Sequence, residues 1–168
     1  MPIRYREEST LDHGAIRQVN VAAFNGPAEA DLVDALRNKG YVVLSLVAES
    51  DNEIVGHILF SNLPIVTEQT TIPAVALAPM AVLPKHQRQG IGSELVRRGL
   101  AICGERDQQA AIVLGHPEYY PRFGFSPALA ARIESPFSGE AFMAAELVPG
   151  TLQNVHGSVT YPPPFFAV

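Results

Sequence analysis

An α/β chain, with a mixed sheet covered by helices on both faces, is the fold class this sequence predicts, and three observations carry it. Segments with helical periodicity are inserted among segments with strand character, so the helices must lie against a sheet. Hydrophobic residues make up 47% and charged residues 17% of 168, enough apolar material for a core and too little polarity for a disordered tract. A short, wholly apolar run, Ala110 to Leu114, suits the centre of a sheet. No repeat of roughly 20–50 residues recurs and no polar linker divides the chain, so residues 1–168 read as a single domain.

The elements follow in order. Ile3 to Arg6 alternates as a first strand. Thr10 and Asp12 open a helix whose apolar positions Ala15, Ile16, Val19 and Ala23 recur at helical spacing, and Asn25-Gly26 ends it. Pro27, favoured at a first helical position, opens a second helix through Leu32, Val33 and Leu36 to Lys39, with Gly40 as the stop. Tyr41 to Glu49 and Glu53 to Asn62 are strand-like, and Asp51-Asn52 between them is turn chemistry, which makes a hairpin. Pro73 to Leu83 is the next strand, interrupted at Pro79, because proline cannot donate to a ladder. A helix from about Arg88 to Arg106 turns Ile91, Leu95 and Gly99, then Val96, Leu100 and Cys103, inward. After Ala110 to Leu114 comes a segment rich in Gly, Pro and aromatics, Gly115 to Phe125; Ala141 to Val148 and Val155 to Tyr161 supply closing strands.

Composition narrows the function. Twelve Lys and Arg against seventeen Asp and Glu give a net charge of −5, which repels a phosphate backbone and argues against a nucleic-acid partner. One cysteine forms no internal disulfide, and no CxxC or His/Cys spacing offers a metal site, so a reducing, cytoplasmic setting is expected. Met1 to Thr10 lacks the apolar stretch of a signal peptide, and the longest mainly apolar run, Ile72 to Pro84, is too short to span a bilayer.

The strongest chemical signal is a strand, loop and helix built around Gln87-Arg88-Gln89-Gly90-Ile91-Gly92. Glycines let the backbone approach a ligand, and the first-turn N–H groups of the helix point at whatever lies there, which suits a phosphate. The dinucleotide fingerprint GxGxxG fails at Leu95, and the Gly-Lys-Ser/Thr of a P-loop is absent. Gln87, Gly90 and Gly92 do fill the fixed positions of Gln/Arg-x-x-Gly-x-Gly/Ala, and Tyr120-Pro121-Arg122-Phe123-Gly124-Phe125 matches a Tyr-x-x-φ-Gly-Phe segment (φ apolar) that follows a buried strand. With these two motifs the chain resembles the GCN5-related N-acetyltransferase (GNAT) superfamily from about Ile3 to Phe125. The run Leu114 to Phe125 is similar to a branch of small bacterial N-acetyltransferases, whose likeness continues into the C-terminal third. An Asn that many members carry before that Tyr is replaced by Pro117 and an aromatic turn, which leaves the pantetheine contacts open.

The resemblance implies a central, mostly antiparallel sheet with a splayed strand pair, and acetyl-CoA as cosubstrate with no metal. It implies that the amides of Arg88, Gln89, Gly90, Ile91, Gly92 and Ser93 bind the pyrophosphate. By the same likeness the amide of Met80 holds the acetyl carbonyl and that of Val82 the pantetheine arm. Tyr120, with an ordinary pKa near 10, stays protonated at neutral pH and can donate to a departing thiolate. The competing role for Tyr120 is packing with Tyr119, Phe123 and Phe125. Tyr119 reads as wall or core. Glu29, Glu49, His57 and His116 are open as bases, although His57, alternating with Val55 and Leu59, fits a hydrogen-bonded core histidine better. Cys103 reads as core, and Arg97 and Arg98 as solvated. The expected activity is acetyl transfer to a primary amine on a small molecule or peptide by direct attack, in a monomer or homodimer. The rival is a non-catalytic acyl-CoA sensor of the same fold.

Overall fold

A computed structural model describes residues 2–167. The elements run β1 (Arg4–Glu7), α1 (His13–Phe24), α2 (Ala28–Asn38), β2 (Val42–Ser50), β3 (Glu53–Asn62), β4 (Ile65–Val66), β5 (Thr71–Ile72), β6 (Ala74–Val82), α3 (Ile91–Glu105), β7 (Ala110–Leu114), α4 (Pro127–Ala130), β8 (Ile133–Glu134), β9 (Phe142–Glu146) and β10 (Gly157–Ser158). Local chemistry sets the boundaries. Asn25 ends α1 in the left-handed conformation at φ 58°, one of the few non-glycine residues that tolerates it. Asp51 and Asn52, at φ 50° and 64°, form the left-handed pair that a two-residue hairpin between β2 and β3 requires.

Residue contacts group into two compact units that interleave along the chain. The first contains the N-terminal residues up to Ser61, then Ala78–Gly99, then the residues from Pro162 on. In it β1 pairs antiparallel with β2 and β2 with β3. The amide of Leu83, just past β6, bonds to the Val55 carbonyl at 2.9 Å. Helices cover both faces of β3, as its two-residue period dictates. His57 is hydrogen-bonded to Asn20 of α1, whereas a Cβ on the adjacent Gly56 would sit 3.2 Å from Ile91 and Leu95 of α3. Ile16, Val19, Leu32, Val33 and Leu36 from α1 and α2 pack on Val47, Leu59 and Ala81 to form one core.

The second unit contains Asn62–Leu77 and Leu100–Tyr161. The start of β6 pairs parallel with β7, from Ala74↔Ala110 to Ala76↔Ile112, and β7 pairs antiparallel with β9 along its whole length. A small second sheet has the order β5-β4-β10-β8.

The mixed sheet and helices are of the predicted class, with four differences in detail. β6 is not interrupted at Pro79: it continues to Val82 through a cis Ala78–Pro79 bond. The third helix starts at Ile91 and not near Arg88, because Pro84–His86 forms a single 3-10 turn and Arg88 adopts φ 64°, which no α-helix accommodates. Val155 to Tyr161 supplies only Gly157–Ser158, and to the small sheet. The short β4, β5, α4 and β8 lie in segments too brief to show a period. Among the described residues, no helix is long and apolar enough to cross a membrane.

Candidate acyl-CoA site

The loop after β6 is shaped by its backbone. Arg88 at φ 64° and Gly90 at φ 84° both turn left-handed, and such a local pattern gathers successive N–H groups into a concavity that accepts anions. α3 begins at the next residue, so its first-turn amides add the positive end of the helix dipole, and the ladder closes with Glu94 N–H on Gly90 O at 3.0 Å. Gln87 Nε2 donates to the Val82 carbonyl at 2.9 Å, tying the loop back onto the end of β6. Residues Gln87 to Gly90 are exposed. Gly92 lies against Met80: a Cβ there would meet Sδ at 3.0 Å and Cε at 3.1 Å. Met80, Val82 and Gln87 to Ser93 all belong to the first unit.

β6 pairs with β7 only through Ala76, and the six residues from Leu77 to Val82, Met80 among them, lie outside that ladder. Met80 is half-buried and Val82 buried.

Tyr120 belongs to the second unit, in a 3-10 turn from Tyr120 to Phe123 that follows β7. Its amide bonds to the His116 carbonyl at 3.2 Å. The ring is buried, edge-on to Tyr119 at 5.0 Å and to Phe125 at 5.8 Å. Burial, then the neighbouring Tyr119, pushes its phenol up to about 12. Gly115 is the residue that sequence reasoning missed here: a Cβ on it would stand 2.8 Å from Cδ2 of the Tyr120 ring, which no real contact tolerates. The only signal was its place directly after the apolar strand. Tyr119 is half-buried against Phe123, with the Arg122 guanidinium 4.6 Å above its ring, a wall as expected.

The candidate bases separate clearly. His57 is fully buried; its Nδ1 lies 3.1 Å from Asn20 Nδ2, and its Nε2 lies 2.9 Å from Ser45 Oγ. Asn20 Nδ2 also donates to the Ile16 carbonyl, so the amide's nitrogen faces His57 and Nδ1 must accept. The proton therefore sits on Nε2, aimed at Ser45, whose hydroxyl donates in turn to Glu8. Glu8 receives both arms of Arg37 at 3.0 Å. Burial raises the Glu8 carboxyl, but the bonds from Arg37 and Ser45 outweigh it and the net shift is downward. Burial pushes the His57 ring down to about 3. With both nitrogens engaged, His57 is a core histidine and not a base. Glu49 is tied to Arg6 at 3.4 Å, Glu29 lies in the first turn of α2, and His116 is exposed beside Glu118 at 3.8 Å. Cys103 is buried, with burial raising its thiol to about 12, so it is no nucleophile. Arg98 holds Glu94 at 2.7 Å and stacks 4.5 Å over the Tyr5 ring. Among the described residues, no three His, Cys, Asp or Glu side chains gather as a metal site.

A mixed sheet whose glycine loop feeds the start of a helix defines an α/β protein, and a helix start of that kind suits a phosphate. Residues 4–128 match the family model of the Acetyltransferase (GNAT) domain, and the chain belongs to that family. It is 35% identical over 161 residues to the uncharacterized N-acetyltransferase YhbS of Escherichia coli K12, covering 93% of this chain and 94% of that relative. It is 40% identical over 118 residues to the uncharacterized N-acetyltransferase YjhQ of the same organism, covering 69% of this chain and 65% of YjhQ. The crystal structure of E. coli YhbS in complex with CoA superposes with a TM-score of 0.89 at 33% identity, over 98% of this chain and 92% of that one. A GNAT acetyltransferase from Brucella melitensis in complex with acetyl-CoA gives 0.79 at 34% identity, over 98% of both chains.

Proposed function

We propose that this chain is an acyl-CoA-dependent N-acyltransferase that moves acetyl from acetyl-CoA to a primary amine of a small molecule or peptide by direct attack in a ternary complex. The observation that carries the reading is the exposed loop from Gln87 to Gly90, where left-handed Arg88 and Gly90 precede a helix start, a backbone pattern that suits an anion. The two similar structures that bind CoA and acetyl-CoA support it.

Acetyl-CoA supplies an activated thioester. The chain's part is to bind, polarise and protonate. The amides of Arg88 to Ser93 hold the pyrophosphate, where glycine at position 90 supplies the turn and glycine at 92 leaves room beside Met80. The Met80 N–H donates to the acetyl oxygen as negative charge develops on it, and the Val82 backbone aligns the pantetheine arm. The ending of the β6–β7 ladder at Ala76 favours this, since it leaves Met80 outside those strand bonds. As the amine nitrogen bonds to the carbonyl carbon and the carbon–sulfur bond breaks, the Tyr120 hydroxyl gives its proton to the sulfur, and the acceptor nitrogen releases one to solvent. Burial keeps that phenol protonated at every physiological pH.

The test is release of free thiol from acetyl-CoA across a panel of amines, amino acids and peptides. Turnover with at least one primary amine is the expected result. Tight coenzyme A binding without turnover on any acceptor would make the chain a sensor, and no binding would end the reading altogether.

A further inference from the structure

A cavity of about 990 Å³ in the second unit lies on the small sheet and has no part in the chemistry above. Strand register builds its floor. Ser158 of β10 pairs with Val66 of β4 on one side and with Glu134 of β8 on the other, so these three side chains form one row on one face. Ahead of this row the bond from Gly157 N–H to the Arg132 carbonyl at 3.1 Å carries the parallel alignment of β10 and β8 back to Arg132 and His156, while Glu68 stands in the turn that follows β4. All six residues line the cavity. Glu68, Arg132, Glu134 and His156 are exposed, and none of them has an ion pair or side-chain hydrogen bond with the described residues. Gln69 and Asn154 add side-chain amides at the rim.

A floor with an unpaired guanidinium and unpaired carboxylates, walled by amides, matches a ligand that carries both charges and peptide groups between them. We propose that this cavity is a binding site for a short zwitterionic peptide, its carboxylate on Arg132 and its ammonium on Glu68. Glu68 follows β4 and Arg132 precedes β8, strands that flank β10 and so lie two spacings apart, roughly 10 Å, which is about the length of three extended residues. The site is separate from the candidate acid. Gln109 lines the cavity ahead of β7 and Gly115 touches Tyr120 beyond it, and six strand residues span about 20 Å.

Calorimetric titration of the intact protein with trialanine tests this, alongside N-acetyl-trialanine, which lacks the ammonium, and trialanine amide, which lacks the carboxylate. Binding of trialanine is expected, weakened on the order of ten- to a hundredfold by either block and by Arg132→Ala, and unchanged by saturating coenzyme A or by Tyr120→Phe. Amide resonances of Val66 and Ser158 should shift on titration. Absence of binding at millimolar concentration, equal binding of the blocked peptides, or displacement by coenzyme A would overturn the proposal. None of these outcomes bears on acetyl transfer, which stands or falls on thiol release.

Discussion

Gly115 has no side chain where the Tyr120 ring lies: a Cβ on it would come within 2.8 Å of Cδ2. A residue with no chemistry of its own therefore fixes where a buried phenol points. Gly115→Ala must push the ring aside or strain the turn, an overpacking that costs roughly 1–3 kcal/mol of stability. A catalytic group misplaced by about 1 Å can lose on the order of 10²-fold in rate. The variant should therefore lower kcat by about that factor with little change in acetyl-CoA affinity. Combined with Tyr120→Phe it should be no slower than Tyr120→Phe alone, since both act through one hydroxyl.

Tyr120→Phe removes the acid and should cost roughly 10²- to 10⁴-fold in kcat while acetyl-CoA binding persists. Tyr119→Phe is the control, because that ring packs on Phe123 and Arg122 and should lose far less. The pH profile adds a second check. A phenol held near 12 stays protonated well beyond its ordinary range, so Tyr120 produces no alkaline fall in rate below about pH 10. A wild-type rate in Tyr120→Phe under conditions where chemistry limits would leave the tyrosine a packing residue only.

Gly90 stands at φ 84° with nothing within 4 Å of its missing Cβ, so space is not what glycine provides there. The requirement is conformational. A β-branched residue strongly disfavours that φ, and Gly90→Val should rebuild the loop and scatter its amides. Coenzyme A affinity measured by calorimetry should fall at least about tenfold, while circular dichroism and the melting temperature change little because the loop is exposed.

Sequence periodicity revealed the longer elements because each buries one face: Ile16 and Val19 on α1, Leu32, Val33 and Leu36 on α2. The glycine loop was legible because Gln87, Gly90 and Gly92 are backbone requirements written as residue types. Two-residue strands such as β4 and β10 carry no period and exist through tertiary pairing alone. The same holds for side-chain partnerships. Nothing in the spacing of Glu8, Asn20, Ser45 and His57 announces that they meet, since an antiparallel hairpin and a helix bring them together. Gly115 has no local signature in the sequence because its constraint is the ring of a residue five positions on.

The Asn20–His57–Ser45–Glu8 chain makes stability depend on pH in a defined direction. In the unfolded chain the imidazole has its ordinary value near 6.5, and in the folded protein burial holds it near 3. Below 6.5 the unfolded state takes up a proton that the folded state refuses, so the His57 contribution is complete above that value. It falls by about 1.4 kcal/mol per pH unit until the folded pKa is reached. Glu8 and Asp12, whose carboxyls are lowered, add their own losses only below their ordinary values of 4.5 and 3.8. The interval above pH 5 therefore isolates His57 from them. Urea unfolding at pH 8 and pH 5 should differ by roughly 2 kcal/mol. His57→Gln, which keeps a donor and an acceptor but does not titrate, should lose most of that difference. If the variant and the wild type show the same change between the two pH values, the imidazole is not excluded from protonation in the fold.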